Sequence, residues 1–156
     1  MQPKIISKEQ LFVTGLTGNG SETGEVWGKF EANYENNPFA KADENEYEIR
    51  FFDGHKPVPY GKDIHVGFLS ANAMNISDFT TITLPATEYA VFDVYIAEGY
   101  DSGNKEMDKW LSENSAKYSH KQMDGVHYVV ECYNEKFKDG NQPDSIVEIW
   151  IPLEKM

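Results

Sequence analysis

The sequence predicts an α+β domain with a mainly antiparallel sheet, and three observations predict it. Segments of strand and helix character run strand, helix, strand, strand, and then repeat that order. The strand segments are joined by short turn-rich links, which favour hairpin pairing, whereas parallel pairing needs long crossovers. With 156 residues, 40% apolar and 13% aromatic, the chain can bury a sizeable core. It reads as a single domain over 1–156, with halves of about 1–77 and 78–156. The helices are expected to cover one sheet face and to leave the other for a partner or a cleft between the halves.

In the first half, 4–16 reads as a strand carrying Ile5, Ile6, Leu11, Phe12 and Val13, interrupted near Lys8. Gly15, Gly18 and Gly20 mark a loop. Residues 21–36 read as a helix, with Ser21 or Thr23 as N-cap, Glu22 and Glu25 at the positive end, and an aromatic stripe of Trp27, Phe30 and Tyr34. Asn36-Asn37-Pro38 stops it. Strands follow at 47–52 and 64–70, linked through Asp53-Gly54, Pro57 and Pro59, and the polar stretch 71–78 divides the halves. In the second half, 79–84 and 88–97 form a bent strand region around Pro85. Residues 99–103 read as a loop, and 104–115 as a helix with Met107, Trp110 and Leu111 inward. The last strands are 126–133 and 145–153.

The formal net charge of -12 argues against direct contact with nucleic acid, because an acidic surface repels phosphates and draws cations. The single cysteine, Cys132, excludes an intramolecular disulfide and reads as a small buried hydrophobe. No segment has the length and apolarity of a membrane span or a signal peptide, so the expectation is a cytoplasmic protein. His55, His65, His120 and His127 lack metal-ligand spacing and read as surface or turn histidines, although His127 shares a strand face with Glu131. No phosphate loop, dinucleotide fingerprint or nucleophile elbow occurs, and neither a metal nor a cofactor is expected.

Glu131 is the most informative residue. It interrupts the aromatic and β-branched run Tyr128-Val129-Val130-Glu131-Cys132-Tyr133, and removing a carboxylate from water is costly unless something compensates it. Either the strand has a wet face or the acid is kept for a task. Strand alternation puts His127, Val129, Glu131 and Tyr133 together, and Glu148 with Trp150 on the last strand. If those strands are hairpin neighbours, the two acid-and-aromatic pairs can share one face. Two carboxylates between aromatic walls can hold a cation, or one of raised pKa can move a proton while the other stays ionised. The bland alternative is a solvated sheet face.

Four phrases carry a family likeness: Val26-Trp27-Gly28-Lys29-Phe30, Ile64-His65-Val66-Gly67-Phe68, Leu84-Pro85-Ala86-Thr87-Glu88-Tyr89-Ala90-Val91-Phe92, and Val130-Glu131-Cys132-Tyr133 followed by Glu148-Ile149-Trp150-Ile151-Pro152. In their order and spacing the chain resembles the GyrI-like family, the effector-binding domains also fused to AraC- and MerR-type regulators. The resemblance implies a twofold repeat of a strand-helix-strand-strand unit with a ligand cleft at the pseudo-twofold. It implies that Glu131 faces that cleft, with walls from Tyr133, Trp150, Phe68, Trp27 and Tyr89. The sequence departs from the family after Tyr89-Ala90-Val91-Phe92, where Asp93-Val94-Tyr95 replaces the usual histidine and glycine.

Three functions remain open on this reading. The first is standalone binding of hydrophobic, often cationic, polycyclic molecules. The second is hydrolysis of strained cyclopropane rings in DNA-alkylating natural products, with Glu131 as the acid and Glu148 or Tyr133 assisting. The third is an acidic module binding a regulator or topoisomerase protein. No helix-turn-helix segment is expected before the first strand.

Overall fold

The computed structural model describes residues 2–53, 58, 61–74, 76–138 and 142–156. Gly54, His55, Pro57 and Pro59, which figure in the expected link, lie outside the described residues. Among the described residues the elements are β1 (Lys4–Lys8), β2 (Leu11–Gly18), α1 (Thr23–Asn36), β3 (Glu46–Phe52), β4 (Ile64–Ser70), β5 (Thr80–Leu84), β6 (Thr87–Tyr95), α2 (Tyr100–Glu113), β7 (Tyr118–His120), β8 (Gln122–Met123), β9 (Val126–Tyr133) and β10 (Ile146–Lys155). Every described pairing is antiparallel, in the sheet order β1-β6-β10-β9-β3-β4-β2-β5, with β7 added to β10 and β8 to β9.

The duplication is visible in that order. The units β2-α1-β3-β4 and β6-α2-β9-β10 place their strands as β2-β4-β3 and β6-β10-β9, and the two triplets meet where β3 pairs with β9. The leading strands are exchanged: β1 adds to β6 of the second unit, and β5 adds to β2 of the first. A pseudo-twofold therefore runs through the β3–β9 seam, where Glu48 lies directly opposite Glu131.

Register places Phe92, Ile149, Glu131, Glu48, Val66 and Leu16 in one row across the sheet, on a single face. Both helices lie on this face. Phe30 of α1 packs on Ile64, Val66 and Phe68, and Met107 and Trp110 of α2 pack with Phe92, Val94, Ile149 and Ile151. The helices thus cover the two ends of the row, and the acids occupy its middle. The opposite face is not left open, contrary to expectation. Val13 and Leu84 from one end of the sheet share a cluster with Tyr89, Val91, Tyr128 and Trp150 from the other. The sheet curls and closes this face as a core of its own.

Some local expectations are corrected. Gly15 and Gly18 belong to β2, not to a loop. Gly15 faces Gly67 across the β2–β4 ladder, and a Cβ on Gly67 would fall 2.1 Å from the Thr14 carbonyl oxygen. These glycines mark a close backbone approach. Before α1 a 3-10 turn, Gly20–Glu22, is capped by Asn19, whose Oδ1 accepts from the Ser21 amide at 3.0 Å, so neither Ser21 nor Thr23 is the cap. Helix α2 begins at Tyr100, inside the segment read as a loop. Gly103 there is a packing residue: a Cβ would sit 3.0 Å from Val94 Cγ1 of β6. The short β7 and β8 carry no sequence pattern long enough to have announced them.

His65 is not a surface histidine. It is fully buried on β4, with Nε2 against the Val13 carbonyl at 2.8 Å and Nδ1 against Thr17 Oγ1 at 2.9 Å. A carbonyl can only accept, so Nε2 carries the proton and the neutral ring accepts from Thr17. Burial pushes its pKa down to about 4. A depressed histidine pKa contributes stability that is present above about pH 6.5 and lost as pH falls towards 4, here on the order of 3 kcal/mol.

Two outcomes follow for stability. Urea unfolding followed from pH 7 to pH 4 loses that contribution in the wild type, and His65→Gln flattens this part of the profile. Gly67→Ala lowers the unfolding free energy by about 2 kcal/mol or more, because the clash is with backbone that cannot rotate away.

Candidate functional site

The middle of the row is a charged site built into the sheet. Glu48 is 1% exposed and Glu131 5%, and they face each other across the β3–β9 seam. Arg50, two residues along β3 on the same face, bridges them: Nε donates to Glu131 Oε2 at 2.9 Å, and Nη2 lies 2.7 Å from Glu48 Oε2. The second contact is an ion pair out of hydrogen-bond alignment, so Glu48 Oε2 is buried with a charge beside it and no hydrogen bond. Arg50 Nη2 also donates to Thr23 Oγ1 at 3.2 Å, tying the start of α1 to the sheet.

The remaining oxygens are held by aromatic donors. Trp27 Nε1 donates to Glu48 Oε1 at 2.8 Å, and the Tyr133 hydroxyl donates to Glu131 Oε1 at 2.9 Å. The Trp27 and Tyr133 rings meet edge-on with centroids 6.4 Å apart, which closes the site on the α1 side. Burial, and then the neighbouring Glu48, hold the Glu131 carboxyl above the ordinary range, against the opposing pull of Arg50 and Tyr133. Burial works against the Arg50 charge, and Glu48 and Glu131 more than reverse it, so its pKa rises.

Between this site and α2 lies a cavity of about 750 Å³. Glu131, Glu48 and Arg50 line it together with Val129, Ile149 and Ile151 of the sheet, Tyr100, Asn104, Met107, Asp108 and Leu111 of α2, and Thr23, Phe52, His120 and Tyr133. The size suits a small organic molecule. Tyr100 is exposed, which gives the cavity a solvent-facing edge. The residue is only partly open to solvent, and partial burial, followed by the nearby Glu131 charge, raises its pKa. His120 is half-buried, with Nε2 donating to the Tyr128 carbonyl at 2.7 Å, and burial lowers its pKa. Among the described residues no three His, Cys, Asp or Glu side chains group to hold a metal ion.

Matching the two fourteen-residue helices end to end explains why the cavity is one-sided. Trp27, Phe30 and Tyr34 of α1 correspond to Asn104, Met107 and Leu111 of α2, and Phe68 corresponds to Ile151 through the strand register. Aromatic rings fill the α1 side, where Phe30, Tyr34 and Phe68 pack together. Smaller side chains leave the space under α2.

The sequence-predicted residues divide accordingly. Glu131 and Tyr133 are at the cavity, and Trp27 stands behind it, holding Glu48. Glu148 and Trp150 do not share their face. Register pairs Glu148 with Cys132 and Ile149 with Glu131, so the second acid-and-aromatic pair points to the opposite side. Trp150 is buried there between Tyr47 and Tyr89 and donates to Glu148, whose other oxygen meets Lys136 at 2.7 Å. Burial of Glu148 is outweighed by hydrogen bonds from Lys136 and Trp150, which lower its pKa. Tyr89 hydrogen-bonds Tyr128 in the same core, and Phe68 is sealed under α1. Cys132 is buried on the core face, its thiol pKa pushed up to about 12 by burial.

Glu48 and Arg50 are the residues that sequence reasoning missed. In Glu46-Tyr47-Glu48-Ile49-Arg50 the charges alternate like an ordinary solvated face. The available signal is the duplication itself, because Glu48 stands in the first unit where Glu131 stands in the second.

A raised carboxylate pKa has a definite sign. The stability it contributes is present below the ordinary carboxylate range and is lost as pH rises through the folded value. The stability of wild type relative to Glu131→Gln should therefore fall as pH rises from about 4 to 7, read from urea midpoints of both proteins.

No protein-family model matches the chain, and no curated protein matches it in sequence. Solved structures do match. SAV2435 bound to tetraphenylphosphonium superposes with a TM-score of 0.61 at 15% identity, over 99% of this chain and 94% of that one. EcmrR in its DNA complex gives a TM-score of 0.72 at 10% identity, over 99% of this chain, which spans only 58% of the EcmrR chain. An integron cassette protein from the mobile metagenome of Vibrio cholerae gives 0.57 at 14% identity, over 99% and 97% of the two chains. Together with the duplicated unit and its seam, these likenesses show that the chain has the GyrI-like fold.

Proposed function

We propose that this protein binds a flat, hydrophobic, polycyclic small molecule, cationic molecules included, in the cavity under α2. The observation that carries the reading is the placement of two buried carboxylates and one arginine on the floor of an otherwise largely apolar cavity of about 750 Å³. The apolar wall of Met107, Leu111, Ile149 and Ile151 supplies burial for a ring system, and the acids, joined by Asp108, bias the cavity towards positive charge. The tetraphenylphosphonium bound to SAV2435, a protein of the same fold, supports a lipophilic ligand. The expected aromatic walls of Trp150, Phe68 and Tyr89 are replaced in this reading by aliphatic side chains and by Tyr100, Phe52 and Tyr133.

A hydrolytic reading uses the same cavity, favoured by the raised Glu131 carboxyl and the Tyr133 hydroxyl beside it. Glu131 would deliver a proton to an electrophile, or orient a water, during opening of a strained ring. Mass spectrometry with a cyclopropane-bearing alkylator distinguishes the two. Turnover beyond one equivalent, abolished by Glu131→Gln, supports hydrolysis, and stoichiometric uptake without product supports binding.

Ligand binding raises the melting temperature, because only the native state offers the cavity. In a thermal-shift screen with planar cationic dyes, the wild type responds. Asn104→Trp, which puts an indole where α1 already carries Trp27, weakens dye binding by roughly tenfold or more with the protein still folded. A dye response unchanged by this substitution contradicts the assignment of the cavity.

A further inference from the structure

Arg50 occupies the cationic position between the two buried carboxylates. Each carboxylate has one oxygen held by a ring donor, Trp27 for Glu48 and Tyr133 for Glu131, and among the described residues Arg50 is the partner of both remaining oxygens. It serves them unequally: Glu131 Oε2 receives a hydrogen bond, and buried Glu48 Oε2 does not. The arginine side chain is 38% exposed, whereas those of its two partners are at most 7% exposed. Arg50 can therefore swing towards water, but the carboxylates cannot follow. If it leaves with nothing in its place, two buried charged oxygens lose their counter-ion, which is strongly unfavourable.

We propose that Arg50 is the specificity-determining residue of the cavity: a built-in guanidinium that a cationic ligand must replace, so that the cavity selects aromatic amidinium or guanidinium compounds, whose paired N–H groups satisfy both carboxylates, over cations that carry no N–H. The inference rests on the binding function proposed above and names its ligand class. Charge alone does not make a competent replacement. A quaternary ammonium brings the same charge but no donor, and it takes the place beside the two buried oxygens without giving either a hydrogen bond. A planar amidinium presents two N–H groups side by side, the arrangement Arg50 itself uses with imperfect alignment at Glu48.

Two probes of equal charge on the same biphenyl scaffold test this by calorimetric titration: 4-phenylbenzamidine, and biphenyl bearing a trimethylammonium group in place of the amidinium. Wild type should bind the amidinium roughly tenfold or more tightly than the ammonium compound. The double variant Glu48→Gln/Arg50→Met keeps the net charge of the site and removes the internal cation. In it the ammonium compound should gain roughly tenfold, and the gap between the probes should narrow. Independently of the variant's folding, the Arg50 side-chain N–H signal of the wild type is followed by NMR during the same titration; the amidinium should move it to a solvent-exchanging position. Equal affinities in the wild type, an unmoved Arg50 signal at saturation, or no gain for the ammonium compound in the folded variant each overturn the inference and leave the binding function standing. Failure of both probes to bind the wild type while planar cationic dyes still raise its melting temperature overturns the inference alone; failure of probes and dyes together removes the binding function as well.

Discussion

The ion pair that Arg50 makes with Glu48 and Glu131 holds the rest of the site in place. Two carboxylates facing each other across a strand pair, nearly out of reach of water, repel each other and are poorly solvated. The guanidinium between them makes the arrangement tolerable, and its reach to Thr23 anchors the first turn of α1. Trp27 and Tyr133 complete the shell and set the depth of the cavity floor. Replacing such a cluster by hydrophobic residues of similar volume is commonly neutral or stabilising in proteins, so folding alone gives little reason for it. A ligand does.

Duplication explains how the site arose at that place. Repetition of one strand-helix-strand-strand unit puts equivalent positions of β3 and β9 side by side at the seam, so that one acid per unit becomes an opposed pair. The exchange of β1 and β5 links the units, and the curl closes the far face around Trp150, Tyr89 and Tyr128 behind the seam. The difference in side-chain size between the units then leaves one side open. Large rings fill the space under α1, and Asn104, Met107 and Leu111 leave it open under α2. Positions one step from the acids differ in the same manner, with Arg50 in one unit and Tyr133 in the other, both reaching Glu131.

Much of this was legible in the sequence. Strand and helix periodicity located most elements and the repeat, and the oddity of an acid in Tyr128-Val129-Val130-Glu131-Cys132-Tyr133 pointed to the right strand. Composition misled where glycine served packing: Gly15 and Gly103 look like loop residues, yet each sits inside an element pressed against its neighbour. Glu148 and Trp150 were misplaced for a different reason. Alternation tells which residues of one strand share a face, and only register tells which faces of two strands agree; a single-residue offset sent that pair to the other side. Arg50 was invisible because a charged residue near a strand end looks solvated until the partner strand brings a second acid to it.

The most direct test of the site is a methyl NMR titration with a flat aromatic cation. Binding in the cavity moves the methyl signals of Ile149, Ile151 and Leu111, and leaves those of Val13 and Leu84 in the closed opposite core unchanged. Shifts confined to Val13 and Leu84, or to methyls elsewhere on the surface, would contradict it.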